Sequence, residues 1–150
     1  MSRGTAPEGV PGAAMISQKA KYAFKALIVL AQHPGETVPI EDIAERAGIP
    51  RKFLEHILLD LKARDLIASR RGRSGGYVME KAPADITVGA VLRAVDGPIA
   101  PVPCLSINSY RRCDDCHDED TCAVRRLFAD VYAAMLSSME VRSLADILPP

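Results

Sequence analysis

The stretch from Ile43 to Leu61 constrains this chain more than any other, because Gly48, Ile49 and Pro50 stop one helix and start the next. Ile40, Ile43, Ala44 and Ala47 recur at the spacing of one buried helix stripe. Gly48 ends that helix, since glycine enters the left-handed region without a Cβ penalty. Ile49 returns to the core. Pro50 opens the second helix, where a missing N–H costs nothing. Phe53, Leu54, Ile57, Leu58 and Leu61 form a second apolar stripe, and Arg51, Lys52, Glu55 and His56 occupy the opposite face. A short helix, a glycine turn and a second helix with a polar N-terminal face make a helix-turn-helix. An ordinary two-helix corner would carry the same pattern, so the residues that follow decide.

Those residues are Leu66 to Met79. β-formers flank a turn of Gly and Ser, which predicts a hairpin. Arg70, Arg71 and Arg73 crowd its tip with no acid among them. A hairpin directly after a helix-turn-helix is a wing, and an Arg-rich tip suits a minor groove or a phosphate backbone. Gly72, Ser74, Gly75 and Gly76 complete the candidate contact loop, the glycines by allowing close approach of backbone.

The overall charge is neutral, with 19 Lys and Arg against 19 Asp and Glu. Nucleic acid would therefore be steered by local patches. Residues 51–81 hold eight Lys or Arg against four acids, whereas 113–120 hold five acids and no Lys or Arg. No apolar run reaches membrane-spanning length and no secretory signal is recognised, so a cytoplasmic protein is expected. In that compartment the four cysteines are reduced and available for metal or redox chemistry.

Residues 1–14 are small and rich in Gly and Pro, and are expected to form a disordered tail. Met15 is an alternative start. Ser17 is the candidate cap of a helix whose stripe is Ala20, Ala23, Phe24, Leu27, Ile28 and Ala31. Lys19, Lys21 and Lys25 lie outside that stripe, either as a solvated face or as phosphate contacts. A further short helix is expected from Pro83 to Val95, capped by Asp85 or Thr87. The DNA-binding unit thus spans 15–97. A loop without periodicity fills 98–121. A long helix is expected from about Cys122 to Arg142, with Val124, Leu127, Phe128, Val131, Met135, Leu136 and Met139 on one face. Pairing with a second copy is the simplest way to cover such a stripe, so 122–150 is assigned to a dimerisation helix and tail.

Cys104, Cys113, Cys116 and Cys122 fall within 19 residues, spaced x8, x2 and x5. Four thiols so close suit an iron–sulfur cluster or zinc. Cys122 opens the long helix, where the dipole favours thiolate. A Cys113–Cys116 thiol switch is a rival reading. Cys113-Asp114-Asp115-Cys116-His117 also matches a c-type haem attachment motif, which requires export. A thiol oxidoreductase would want a strand and a βαβ setting around Cys-x-x-Cys, and neither is seen, so an enzyme is not expected.

Taken together, Ile43-Ala44-Glu45-Arg46, Gly48-Ile49, Phe53-Leu54-Glu55, Ile57-Leu58, Arg71-Gly72, Gly75-Gly76-Tyr77, Ile86-Thr87-Val88 and Ala94-Val95-Asp96-Gly97 resemble the Rrf-two family of bacterial winged-helix regulators, which includes the IscR, NsrR and CymR types. The resemblance runs from about Met15 to Leu148. It implies a mainly α fold with a small β-hairpin wing, in which a winged helix-turn-helix domain carries a long C-terminal dimerisation helix. It implies a homodimeric transcriptional regulator, expected to act as a repressor on palindromic double-stranded DNA. By resemblance the helix contacts are Lys52, Glu55 and His56 and the wing contact is Arg71; Arg51, Arg70 and Arg73 are added from charge and position. Cluster-binding members imply Cys104, Cys116 and Cys122 as ligands of a 2Fe-2S or 4Fe-4S cluster. The fourth ligand departs: Arg125 stands where the IscR type has His, and Lys21 where the NsrR type has Asp. Cys113 or His117 is the available substitute. A regulator of this fold with zinc, a thiol switch, or a partner or small-molecule signal instead of a cluster is the alternative.

Overall fold

Ser17 starts the first helix as expected, its Oγ accepting the Ala20 N–H at 3.0 Å. In this computed structural model, which describes residues 16–107 and 109–149, helix α1 runs Gln18–Ala31. The expected tail at 1–14 and Met15 lie outside the described residues. Ala20, Ala23, Ala26, Leu27 and Leu30 are fully buried along α1, which makes it the central pillar of the core. Helix α2 (Ile40–Ala47), helix α3 (Arg51–Ala63) and helix α4 (Val88–Asp96) pack around it.

The turn between α2 and α3 is built by its glycine. Gly48 caps α2 at φ 68 and ψ 40 and its N–H returns to the Ala44 carbonyl. Pro50 sits one residue earlier than expected, as the cap before α3 rather than inside it. Leu54, Ile57, Leu58 and Leu61 are buried, but Phe53 is not part of their stripe: it is 62% exposed and tilts against Tyr22 of α1, ring centroids 6.4 Å apart. At the far end Asp65 adopts φ 58, a left-handed position that Asp tolerates, and turns the chain into the hairpin.

Strand β1 (Ile67–Arg70) pairs antiparallel with β2 (Gly76–Met79), with Arg70 opposite Gly76 and Ile67 opposite Met79. Val38 adds a third position to this ribbon, exchanging two backbone hydrogen bonds with Tyr77 at 2.8 and 2.9 Å. The wing is thus stitched to the chain just ahead of α2.

Residues 83–96 form two pieces instead of one helix. Pro83–Asp85 makes a single 3₁₀ turn, Ile86 is extended, and Thr87 then caps α4 through Oγ1, which accepts the Ala90 N–H at 3.0 Å. Ser17 Oγ donates to Asp96 at 2.5 Å, so the start of α1 meets the end of α4. The segment after α4 contains one further 3₁₀ turn, Pro103–Leu105, before helix α5 begins at Ala123 and runs to Val141. Within this chain α5 buries Tyr132 at 7% exposure, whereas Leu127 is 64% exposed and Val124, Phe128 and Val131 are also open.

The last turn of the chain does not trail away. Helix α6 (Leu144–Ile147) is held by a capping box between Ser143 and Asp146. Leu144 is buried, its N–H donates to the Ile86 carbonyl at 2.8 Å, and Val88 N–H donates to the Arg142 carbonyl at 3.0 Å. Ser143 and Leu144 are thus buried against the segment that leads into α4. Among the described residues no helix is long and apolar enough to cross a membrane.

Candidate nucleic-acid interface and cysteine cleft

Burying Leu54, Ile57, Leu58 and Leu61 forces the opposite side of α3 outward. Arg51, Lys52, Glu55, His56 and Leu59 are all exposed there. They are not equally free. Arg51 lies 2.7 Å from Glu41 and 3.4 Å from Glu55, so its charge ties α2 to α3. Lys52 has no ion pair among the described residues. Lys19 of α1 pairs with Asp60 and is likewise occupied, while Lys21 and Lys25 are exposed.

The wing tip places Arg70, Arg71, Gly72, Arg73 and Ser74 in the open, and none of the three arginines pairs with a described carboxylate. Gly72 stands at φ 117 with nothing near an added Cβ. Gly75 and Gly76 behave differently. A Cβ on Gly75 would fall 2.9 Å from the Gly72 carbonyl oxygen, and one on Gly76 would fall 2.2 Å from that of Val38. The close approach that Gly76 permits is therefore to the protein's own backbone, which seats the wing.

The cysteines come together in a second place. All four line one cleft of about 430 Å³, with Asp115, His117, Asp118, Glu119 and Arg125 around them. Arg111 N–H donates to the Pro103 carbonyl at 3.2 Å, which lays the two arms of the loop side by side and brings Cys113 to Cys104. Cys116 follows in a tight turn, its N–H bonded to the Cys113 carbonyl at 3.1 Å. Burial pushes the Cys113 thiol above its usual range, and contact with the Cys104 side chain adds to that. Cys104 is buried. Cys122 caps α5, its Sγ accepting the Arg125 N–H at 3.4 Å. The donor chemistry suits a thiolate-held cluster. The side chains face one cleft without converging: among the described residues no three His, Cys, Asp or Glu stand close enough to hold a metal ion.

A model of the family described as "Rrf2: Iron-dependent Transcriptional regulator" matches residues 16–150. The chain belongs to the Rrf2 family. It is 51% identical over 138 residues to an rrf2-like HTH-type transcriptional regulator of Rhodobacter capsulatus, covering 89% of this chain and 92% of that one. It is 32% identical over 134 residues to the HTH-type transcriptional regulator IscR of Serratia proteamaculans, covering 89% and 78%. Among solved structures it resembles CymR, the global cysteine regulator of B. subtilis, at a TM-score of 0.70 and 28% identity, covering 88% and 94%. T. potens IscR gives 0.69 and 26%, covering 90% and 86%.

For an Rrf2 regulator, three features here escape the helical pattern of the sequence. Val38 joins the wing across a gap in the chain, which the short Thr37-Val38 pair ahead of Pro39 hardly signals. Tyr132 turns inward although it lies beside the apolar stripe of α5. Arg125 has a buried Nε with no hydrogen-bond partner, the single such side-chain nitrogen or oxygen among the described residues. Its sequence signal is the cation in the first turn of α5, where the helix dipole disfavours it.

Proposed function

We propose that this Rrf2 transcriptional regulator binds a palindromic operator as a homodimer, acting as a repressor, with the cysteine cleft as its sensor. The observation that carries the DNA reading is the set of exposed cations without ion pairs among the described residues on two elements: Lys52 on α3 and Arg70, Arg71 and Arg73 on the wing. In this reading α3 enters a major groove with Lys52, Glu55 and His56 toward base edges, and the wing tip follows an adjoining minor groove. Gly72 and Ser74 let the tip approach phosphate. Arg51, held by Glu41 and Glu55, positions α3. Gly75 and Gly76 shape the wing.

The open apolar face of α5 supports the dimer, since Val124, Leu127, Phe128 and Val131 are exposed and find no cover among the described residues. A cytoplasmic location goes with this reading, since a bacterial regulator meets its DNA there. The sensor reading rests on four thiols in one cleft and on the likeness to IscR. Cys104, Cys113, Cys116 and Cys122 would hold an iron–sulfur cluster, 2Fe-2S or 4Fe-4S, which supplies a redox- or oxidant-sensitive state when bound. Cys122 caps α5, so a cluster held there would fix where that helix begins, and α5 leads back through Leu144 to the DNA-binding core. A shift of the operator equilibrium requires unequal affinity of the two forms for DNA. The second reading, the same regulator with a thiol switch, is favoured by the lack of convergence among the donors; zinc, the other alternative, would need them to converge as a cluster does.

The test is capture of genomic DNA on the purified protein followed by sequencing, with sedimentation at micromolar concentration. A dimer enriching palindromes with half-sites about one helical turn or a small multiple apart is expected. A monomer that retains no preferred sequence sinks the proposal. Anaerobic absorbance with iron and zinc determination separates the two sensor readings.

A further inference from the structure

Arg125 stands in the first turn of α5 and lines the cysteine cleft. Its Nε is buried without a partner, and no described carboxylate pairs with its guanidinium. A buried charged donor without a partner is left with its desolvation cost unmet. The first turn of α5 also contains no acid, and Arg126 adds a second cation there, so the helix dipole opposes both. Among the described residues nothing offsets that arrangement. What faces it is the thiol-lined cleft, and Arg125 already donates its backbone N–H to Cys122 Sγ at 3.4 Å. Asp115, Asp118 and Glu119 line the cleft too and share its negative side, yet none of them is paired with Arg125.

A guanidinium stays protonated, so it donates hydrogen bonds and does not ligate metal. We propose that Arg125 is a positioning residue of the sensor site, whose guanidinium donates to the thiolate-held, anionic cluster and sets its reduction potential. The proposal rests on the cluster reading above. Four thiolate ligands leave a cluster with net negative charge, and one-electron reduction adds one further negative charge with no bond formed or broken. A fixed cation at the rim favours the reduced form more than the oxidised form, which raises the potential. The same contact satisfies the orphaned Nε and neutralises the cation at the start of α5.

The experiment reconstitutes the full-length parent, Arg125→Gln and Arg125→Lys anaerobically with iron and sulfide. Each is titrated with dithionite as the electron donor while the visible spectrum is followed, and iron and sulfide are counted. Arg125→Gln is expected to carry the parent's iron and sulfide at a more negative midpoint potential, with Arg125→Lys in between. A midpoint equal to the parent's in both variants overturns the proposal while leaving the cluster reading intact. If Arg125→Gln takes up no cluster, Arg125→Lys decides alone: a lowered potential supports the proposal and an unchanged one overturns it. A parent that binds no iron overturns the cluster reading itself, and this inference with it.

Discussion

The Arg93 guanidinium of α4 lies 2.5 Å from the Glu140 carboxylate of α5, and Gly89 is what lets them meet. A Cβ on Gly89 would fall 2.5 Å from Glu140 Oε1 and 3.1 Å from the Arg93 nitrogens. The pair is half-buried and joins the DNA-binding half to the long helix. A double-mutant cycle with Arg93→Ala and Glu140→Ala is expected to give a coupling of about 0.5–1 kcal/mol, weakening with salt. Additive single mutants in denaturant melts would show that the pair joins nothing.

Gly76 and Gly72 should respond differently to alanine. At Gly76 the new Cβ would press into the Val38 carbonyl, and backbone cannot swing aside as a side chain can. Overpacking of this kind costs about 1–3 kcal/mol. Gly72→Ala meets no atoms and pays only for a positive φ, about 1–3 kcal/mol if the tip cannot relax. Being exposed at the tip, it should relax and lose the smaller amount. Equal thermal shifts for the two would contradict the Val38 contact.

Arg71 and Arg51 divide along the same line of free and occupied charge. Arg71→Ala is expected to cost about 1–3 kcal/mol on the operator if it reaches a base edge, and less on random DNA. Arg51→Ala removes a surface pair with Glu41 and should change stability by about 0–1 kcal/mol, with similar loss on every sequence. Binding titrations on specific and random duplexes check both. Equal losses for Arg71→Ala would show that it reads nothing.

Cys122→Ser separates two roles of one residue. Serine is a better helix cap than cysteine, so the start of α5 and the melting temperature should be kept or improved. The thiolate is lost, and metal uptake should fall while the apo fold does not. A variant that melts markedly earlier than the parent would mean that the sulfur serves structure.

Leu144→Ala tests the return of the chain end to the core. A fully buried leucine truncated to alanine costs about 2–5 kcal/mol. Denaturant melts followed by far-ultraviolet circular dichroism read it directly; a change below about 1 kcal/mol would fit a loosely held tail instead.

Periodicity and turn chemistry alone determined much of this protein. The stripes of α1 and α3, the left-handed Gly48, the cap at Ser17 and the Arg-rich hairpin are local consequences of residue type, so a linear pattern reports them. The crowding of four cysteines is also visible in the chain, since their spacing keeps them in one loop. Only tertiary structure decided which charges are free, because Arg51 and Lys19 are taken by Glu41 and Asp60, which no short-range rule pairs with them. It also decided that Phe53 turns out against Tyr22, that Val38 lies against Gly76, and that Leu144 closes over Ile86. Each of these is a contact between segments distant in sequence. Its energy depends on which surfaces meet when the core forms, and a pattern of nearest neighbours does not contain that information.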